Sequence, residues 1–147
     1  MSKSKAISVR LTDEQIARLD RAATKAKLSR AEMAAQLLET AIRLTEFPYV
    51  EFKDFGAGVE AFVTGTRLRV WWVELLARDY DFDVPKIVAH YNLPESTVRA
   101  VLAYTAAFHD EIEDDIAEYY RRSDEFQREI LSQEARAAGL AVDAPAS

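Results

Sequence analysis

The chain has 147 residues, 49% apolar and 30% charged, a balance that suits one medium globular domain or two small ones. No apolar run approaches the roughly 20 residues of a spanning helix and the Met1-Ser2-Lys3-Ser4-Lys5 start lacks an apolar signal core, so a cytoplasmic protein with no membrane partner is expected. The absence of cysteine excludes disulfide frameworks, thiolate metal sites and thiol nucleophiles.

The net charge of −6 conceals a division along the chain. Residues 1–47 carry nine Lys or Arg against six acids, a net +3, and residues 48–147 carry ten against nineteen, a net −9. A phosphate backbone attracts the first part and repels most of the second.

The basic part opens with an alternating segment, Ala6 to Leu11. Ile7, Val9 and Leu11 fall on one face of a strand and Ala6, Ser8 and Arg10 on the other. Thr12-Asp13-Glu14-Gln15 has the form of a capping box and starts a helix with Ile16, Leu19 and Ala23 on one side. After Ala26-Lys27-Leu28, a second capping box, Ser29-Arg30-Ala31-Glu32, starts a helix bearing Met33, Leu37, Ala41 and Ile42. One strand and two short amphipathic helices cannot enclose a core alone, so the segment calls for a second copy of itself.

This order resembles the ribbon-helix-helix repressors of Arc, MetJ and CopG type, over roughly the first 45 residues. The resemblance implies a homodimer whose paired strands enter the major groove of double-stranded operator DNA, with Ala6, Ser8 and Arg10 meeting base edges. Arg10 is the principal reader, because a guanidinium can bond guanine O6 and N7 together. The resemblance also puts phosphate contacts at Lys3, Lys5, Ser29 and Arg30, the last two at a helix N-terminus. Where that family often has glycine two residues before the Ser-Arg pair, for a positive φ, this chain has Lys27.

Phe47-Pro48 ends the second helix and Tyr49 to Phe55 is an aromatic-rich stretch. Val59 to Val63 and Arg67 to Val70 read as β-rich runs joined by Thr64-Gly65-Thr66 in a tight hairpin or turn. Three helices are expected next: one around Trp71 to Leu76, one capped by Asp83 with Pro85 in its first turn, and one after the short Asn92-Leu93 turn with Pro94 in its first turn. The last two form a helix-turn-helix. Val63-Thr64-Gly65-Thr66-Arg67-Leu68-Arg69-Val70, Tyr91-Asn92-Leu93 and Val98 to Tyr104 resemble the antitoxin-like family called domain of unknown function 433, over about residues 47–112. That likeness implies a nuclease toxin of PIN type as partner. The usual Gly-x-Pro-x-Ile run of that family reads Gly58-Val59-Glu60-Ala61-Phe62 here. The pair either reads DNA through Arg99 or serves as a folding unit or dimer contact with Val98, Val101, Leu102 and Tyr104 mostly in its core. Arg67 either meets a local carboxylate or contacts a partner.

From Pro94 the helical pattern continues without an obvious stop. Val98, Thr105, Ile112, Tyr119 and Phe126 recur every seven residues beside Leu102, His109, Ile116, Ser123 and Ile130, and the seam thins past Tyr119. Ten acids lie between Asp110 and Glu134 against three arginines. Such a helix fits either the basic groove of a nuclease, with Tyr119, Tyr120, Phe126 and Ile130 as anchors, or a homodimer seam with solvated flanks. Gly139 can end it, and residues 140–147 read as a disordered tail.

The expected architecture is mainly α with short β. Residues 1–46 form a dimeric ribbon-helix-helix, 47–110 a small helix-turn-helix domain, 111–138 an acidic helix and 139–147 the tail. His90 and His109 sit in no nucleophile or metal motif, there is no Gly-rich phosphate loop, and Glu111, Asp115 and Glu118 share a helix face without a histidine ligand. Neither catalysis nor a cofactor or metal is therefore expected. The leading expectation is an antitoxin that represses its own operon and neutralises a nuclease, built as a homodimer or a pair of such dimers. The alternative is a stand-alone dimeric repressor whose second domain mediates oligomerisation or senses a ligand.

Overall fold

A computed structural model of the chain describes residues 3–54 and 58–138. Helices α1 (Asp13–Ala26) and α2 (Arg30–Glu46) start where their capping boxes stand. Thr12 Oγ1 accepts from the Gln15 amide at 3.2 Å while the Gln15 side chain accepts from the Thr12 amide at 2.9 Å. Ser29 and Glu32 repeat the exchange at 3.1 and 2.8 Å. Between the helices Lys27 takes a left-handed conformation, φ 57°, and the Leu28 amide closes the end of α1 on the Ala23 carbonyl at 2.9 Å.

Helix α2 ends at Phe47, and the aromatic stretch that follows becomes β1 (Val50–Asp54), paired antiparallel with β2 (Val59–Val63). The register sets Val50 against Val63 and Phe52 against Ala61, so these four residues share the face turned to the core. Of the tight hairpin or turn expected at Thr64-Gly65-Thr66, the turn forms. Arg67 to Val70 contributes a single bridge, Phe62 to Arg69, because Val70 already begins the next helix. Gly65, φ 74°, makes the turn, and the Val63 amide reaches back to the Leu68 carbonyl at 2.8 Å.

Helices α3 (Val70–Asp79) and α5 (Glu95–Ala107) pack on the sheet and on each other, and α4 (Val84–Tyr91) packs against both of them. Asp83 caps α4 as expected, accepting from the Lys86 amide at 3.2 Å, and Asn92 at φ 52° makes the short turn into α5. One core holds the body together: Val50, Val63, Val70, Val73, Ala77, Ile87, Val98, Val101 and Tyr104 are buried, joined by Ile112 and Ile116 of α6 (His109–Ala137).

The uninterrupted helix expected from Pro94 breaks at Phe108, φ −116° and ψ 40°. The Phe108 ring packs on Tyr104 and Phe47, with the Arg43 guanidinium 3.7 Å from its centroid, and these contacts hold the backbone off the helical path. The acidic helix therefore starts at His109. The tail expected at 139–147 lies outside the described residues.

Candidate nucleic-acid interface

The amino-terminal module lacks an interior of its own. Ala23 is the one buried residue of α1, and α2 has none. Residues 3–11 lie in no helix and pair with no strand among the described residues, since strand pairing needs a neighbour that α1 and α2 do not supply. Ile7, Val9 and Leu11 are 75%, 62% and 42% exposed. They border an open groove of about 1080 Å³ whose floor is the apolar side of both helices, including Leu19, Ala34 and Leu38. Burying that much apolar surface is the largest stabilisation still open to this module.

Ala6, Ser8 and Arg10, the expected base readers, are exposed, as are Lys3 and Lys5, and none has a polar partner among the described residues. Their donors are free to meet a ligand.

The expected phosphate clamp is not free in the same way. Arg30 makes a bidentate ion pair with Asp20, both bonds 2.8 Å. The hydrogen bond from Arg30 holds the Asp20 carboxyl below the usual carboxylate range, and Asp20 in turn raises Arg30. The Ser29 hydroxyl is occupied by its capping bond, and the Ser29 amide and hydroxyl together lower the pKa of Glu32. Thus the side chains at the start of α2 are satisfied internally, and Glu32 sets a carboxylate beside the place a phosphate would take. Asp20 was the residue missed. It lies ten positions before Arg30, beyond any helical spacing, and only the fold of α1 against α2 joins them.

The second helix-turn-helix presents less. At the start of α5, Thr97 and Val98 are buried, and exposed Arg99 is held by Glu95 of its own helix at 2.7 Å. Arg67 is exposed with no carboxylate partner among the described residues, so the local ion pair weighed for it is absent; Arg69 makes that contact instead, with Glu60.

Of the four anchors expected on α6, Tyr119 is half-buried against Trp71 and Trp72, with centroids 5.0 and 4.9 Å away, and Tyr120, Phe126 and Ile130 are exposed. The acids of α6 are unevenly spread. Residues 110–118 hold six with no Lys or Arg, while residues 121–136 hold four acids and four arginines. Glu111 is taken by Arg43 and Glu113 by Arg78. Asp115 is raised to about 6 by burial of its carboxyl, then by Glu111, Glu60 and Asp114, although the residue as a whole is exposed. His90 meets the Tyr80 hydroxyl at 3.1 Å, and His109 stands 3.9 Å from Glu113. No cluster of three or more potential ligands able to hold a metal occurs among the described residues, nor any helix long and apolar enough to cross a membrane.

Comparison with known proteins found no matching family model, no curated relative and no similar solved structure.

Proposed function

We propose that the chain is a dimeric, sequence-specific DNA-binding repressor whose two copies pair their amino-terminal segments as an antiparallel ribbon. The observation that carries this reading is the exposed row Ile7, Val9 and Leu11 above an apolar groove, alternating with the unpartnered donors of Ser8 and Arg10. Pairing would turn the apolar row onto the groove of the joint module and leave Ala6, Ser8 and Arg10 on the outer face, where a two-stranded ribbon fits the major groove. The basic balance of residues 1–47 supports approach to phosphate.

The experiment is a binding titration of Arg10→Ala against duplexes from the chain's own promoter and scrambled duplexes, with the solution mass measured alongside. The variant should keep its dimer mass and lose its preference for promoter DNA. Retained sequence preference would sink the ribbon assignment, and absence of salt-dependent DNA affinity in the parent chain would sink the whole reading.

A second activity, neutralising a nuclease toxin, is favoured by one observation. Exposed Asp110 and Asp114 make no ion pair among the described residues and stand with Asp115 in the acidic block at the start of α6. This is a surface for a basic partner. Co-expression with the product of the adjacent gene tests it: charge reversal at Asp110 and Asp114 should abolish a complex that the parent chain forms.

A further inference from the structure

Helix α6 has 29 residues, about 43 Å at 1.5 Å per residue, and leaves the body partway along. Ile112 and Ile116 are buried and Tyr119 rests on the two tryptophans, but no described residue beyond Tyr119 is buried. The apolar stripe nevertheless continues. Steps of three and four residues carry it from Ile116 through Tyr119, Ser123 and Phe126 to Ile130, with Tyr120 and Leu131 along one edge. Phe126 and Leu131 are 64% and 63% exposed. A projecting helix of this length with an open apolar stripe gains most of its stability only by packing.

The charges beside the stripe say what it packs against. A uniformly acidic arm would require a basic partner, but residues 121–136 are balanced, four arginines to four acids. Arg128 and Arg136 have no ion pair among the described residues, nor do Asp124, Glu129 and Asp115. Arg121 and Arg122 are held only by Glu118 and Glu125, carboxylates one turn away on α6. A parallel pair of such helices would stack the six acids of residues 110–118 on their own copies. An antiparallel pair crossing at Phe126 does the opposite. To within a residue, it sets Arg122 level with the partner's Glu129 and Asp115 with the partner's Arg136, all four on one flank of the stripe. On the apolar side the same crossing brings Tyr120 level with the partner's Leu131 and Phe126 onto its own mate. Glu129 and Arg136, which have no ion pair within the chain among the described residues, then each meet an opposite charge across the pair.

We infer that the outer half of α6 is a second self-association surface, on which two copies pair antiparallel about Phe126. It rests on α6 alone and stands whether or not the amino-terminal ribbon reads DNA. Together with a ribbon dimer it would join two dimers into a tetramer.

Because the chain has no cysteine, single cysteines report the geometry directly. Under mild oxidation full-length Phe126→Cys should cross-link copy to copy. Tyr120→Cys alone and Leu131→Cys alone should not, whereas a mixture of those two should. All three sites are exposed, so the variants leave the core untouched. Cross-linking of Tyr120→Cys to itself as readily as Phe126→Cys would mean a parallel pair, and no cross-link at any site would leave the stripe to a different protein; either overturns the inference. A charge exchange supplies the second measurement. Arg122→Glu should halve the solution mass and the double variant Arg122→Glu, Glu129→Arg should restore it. A mass unmoved by Arg122→Glu also overturns the pairing, and loss of DNA binding by Arg10→Ala would leave these results unchanged.

Discussion

The Arg43 guanidinium donates to the Tyr104 hydroxyl at 2.8 Å, a bond across 61 positions that ties the amino-terminal helices to the body. The same group pairs with Glu39 at 2.7 Å and Glu111 at 2.6 Å and lies over the Phe108 ring. Burial works against the charge, but the hydrogen bonds to Glu39, Glu111 and Tyr104 outweigh it and hold the Arg43 pKa above its ordinary value. Tyr104 is almost wholly buried, and burial raises its pKa despite the Arg43 bond.

Arg43→Ala should therefore be among the most damaging single changes outside the central core. It strips the partner from a buried hydroxyl and removes the cation from Phe108, a loss of about 2–4 kcal/mol in urea unfolding. Tyr104→Phe removes only one acceptor from a guanidinium that keeps two carboxylates, and should cost about 1 kcal/mol. The double variant should fall short of the sum of the two losses, since both delete the same hydrogen bond. Strict additivity would show that the Arg43–Tyr104 bond does not couple the two parts.

Lys27 gives a prediction of the opposite sign. A lysine at φ 57° keeps a Cβ where the left-handed region crowds it against the following carbonyl. Lys27→Gly should raise stability by about 1 kcal/mol at fixed protein concentration, while Lys27→Ala, which keeps the Cβ, should change little. Equal melting temperatures for the glycine and alanine variants would show that the turn is not strained.

Lys27 also marks how far local signals reach. Both amino-terminal helix starts, the Asp83 cap and the turn at Lys27 were legible, because a capping box or a C-terminal turn is settled by residues within one helical turn. The partner of β2 was not. Arg67 to Val70 has the right residue types, but Phe52 opposite Ala61 and Val50 opposite Val63 give the core a better face, a choice made by tertiary packing. The break at Phe108 was hidden for a related reason: apolar residues keep helical spacing on both sides of it, and the group that draws its ring away, Arg43, lies far upstream in the chain. At the candidate interface alternation alone divides residues 6–11 into two faces, and the chain by itself exposes both of them. The engagement of Arg30 by Asp20 was not legible, since it depends on how α1 lies against α2.

Asp115 should make stability depend on pH in the unusual direction. Its carboxyl is raised to about 6, from an ordinary value near 4, first by burial and then by Glu111, Glu60 and Asp114. Between about pH 4 and 6 the folded chain then binds more protons at this site than the unfolded chain, so this contribution to stability falls as pH rises through the window and stays low above it. Asp115→Asn removes the penalty. At protein concentrations too low for copies to pair through α6, it should match the parent near pH 4 and exceed it above pH 6, by less than about 1 kcal/mol once solvent screening at an exposed residue is allowed for. A difference that does not change between about pH 4 and 7 would mean that Asp115 titrates as an ordinary surface acid.

On the proposed DNA-binding reading, Asp20 is the residue through which phosphate affinity can be raised without touching Ser8 or Arg10. While Asp20 holds the Arg30 guanidinium by two bonds, a phosphate arriving at the start of α2 meets a cation already neutralised. Asp20→Asn takes away that charge and leaves a weaker acceptor of similar shape. On the proposed DNA-binding reading, the freed Arg30 neutralises one further phosphate per protomer. The slope of log affinity against log salt should steepen by about 0.9 for each such phosphate. Discrimination between promoter and scrambled duplexes should stay the same, because groups that hold phosphate position the protein and do not read sequence. An unchanged slope would assign Arg30 to holding α1 against α2 alone, and a changed sequence preference would mean that it reaches a base edge.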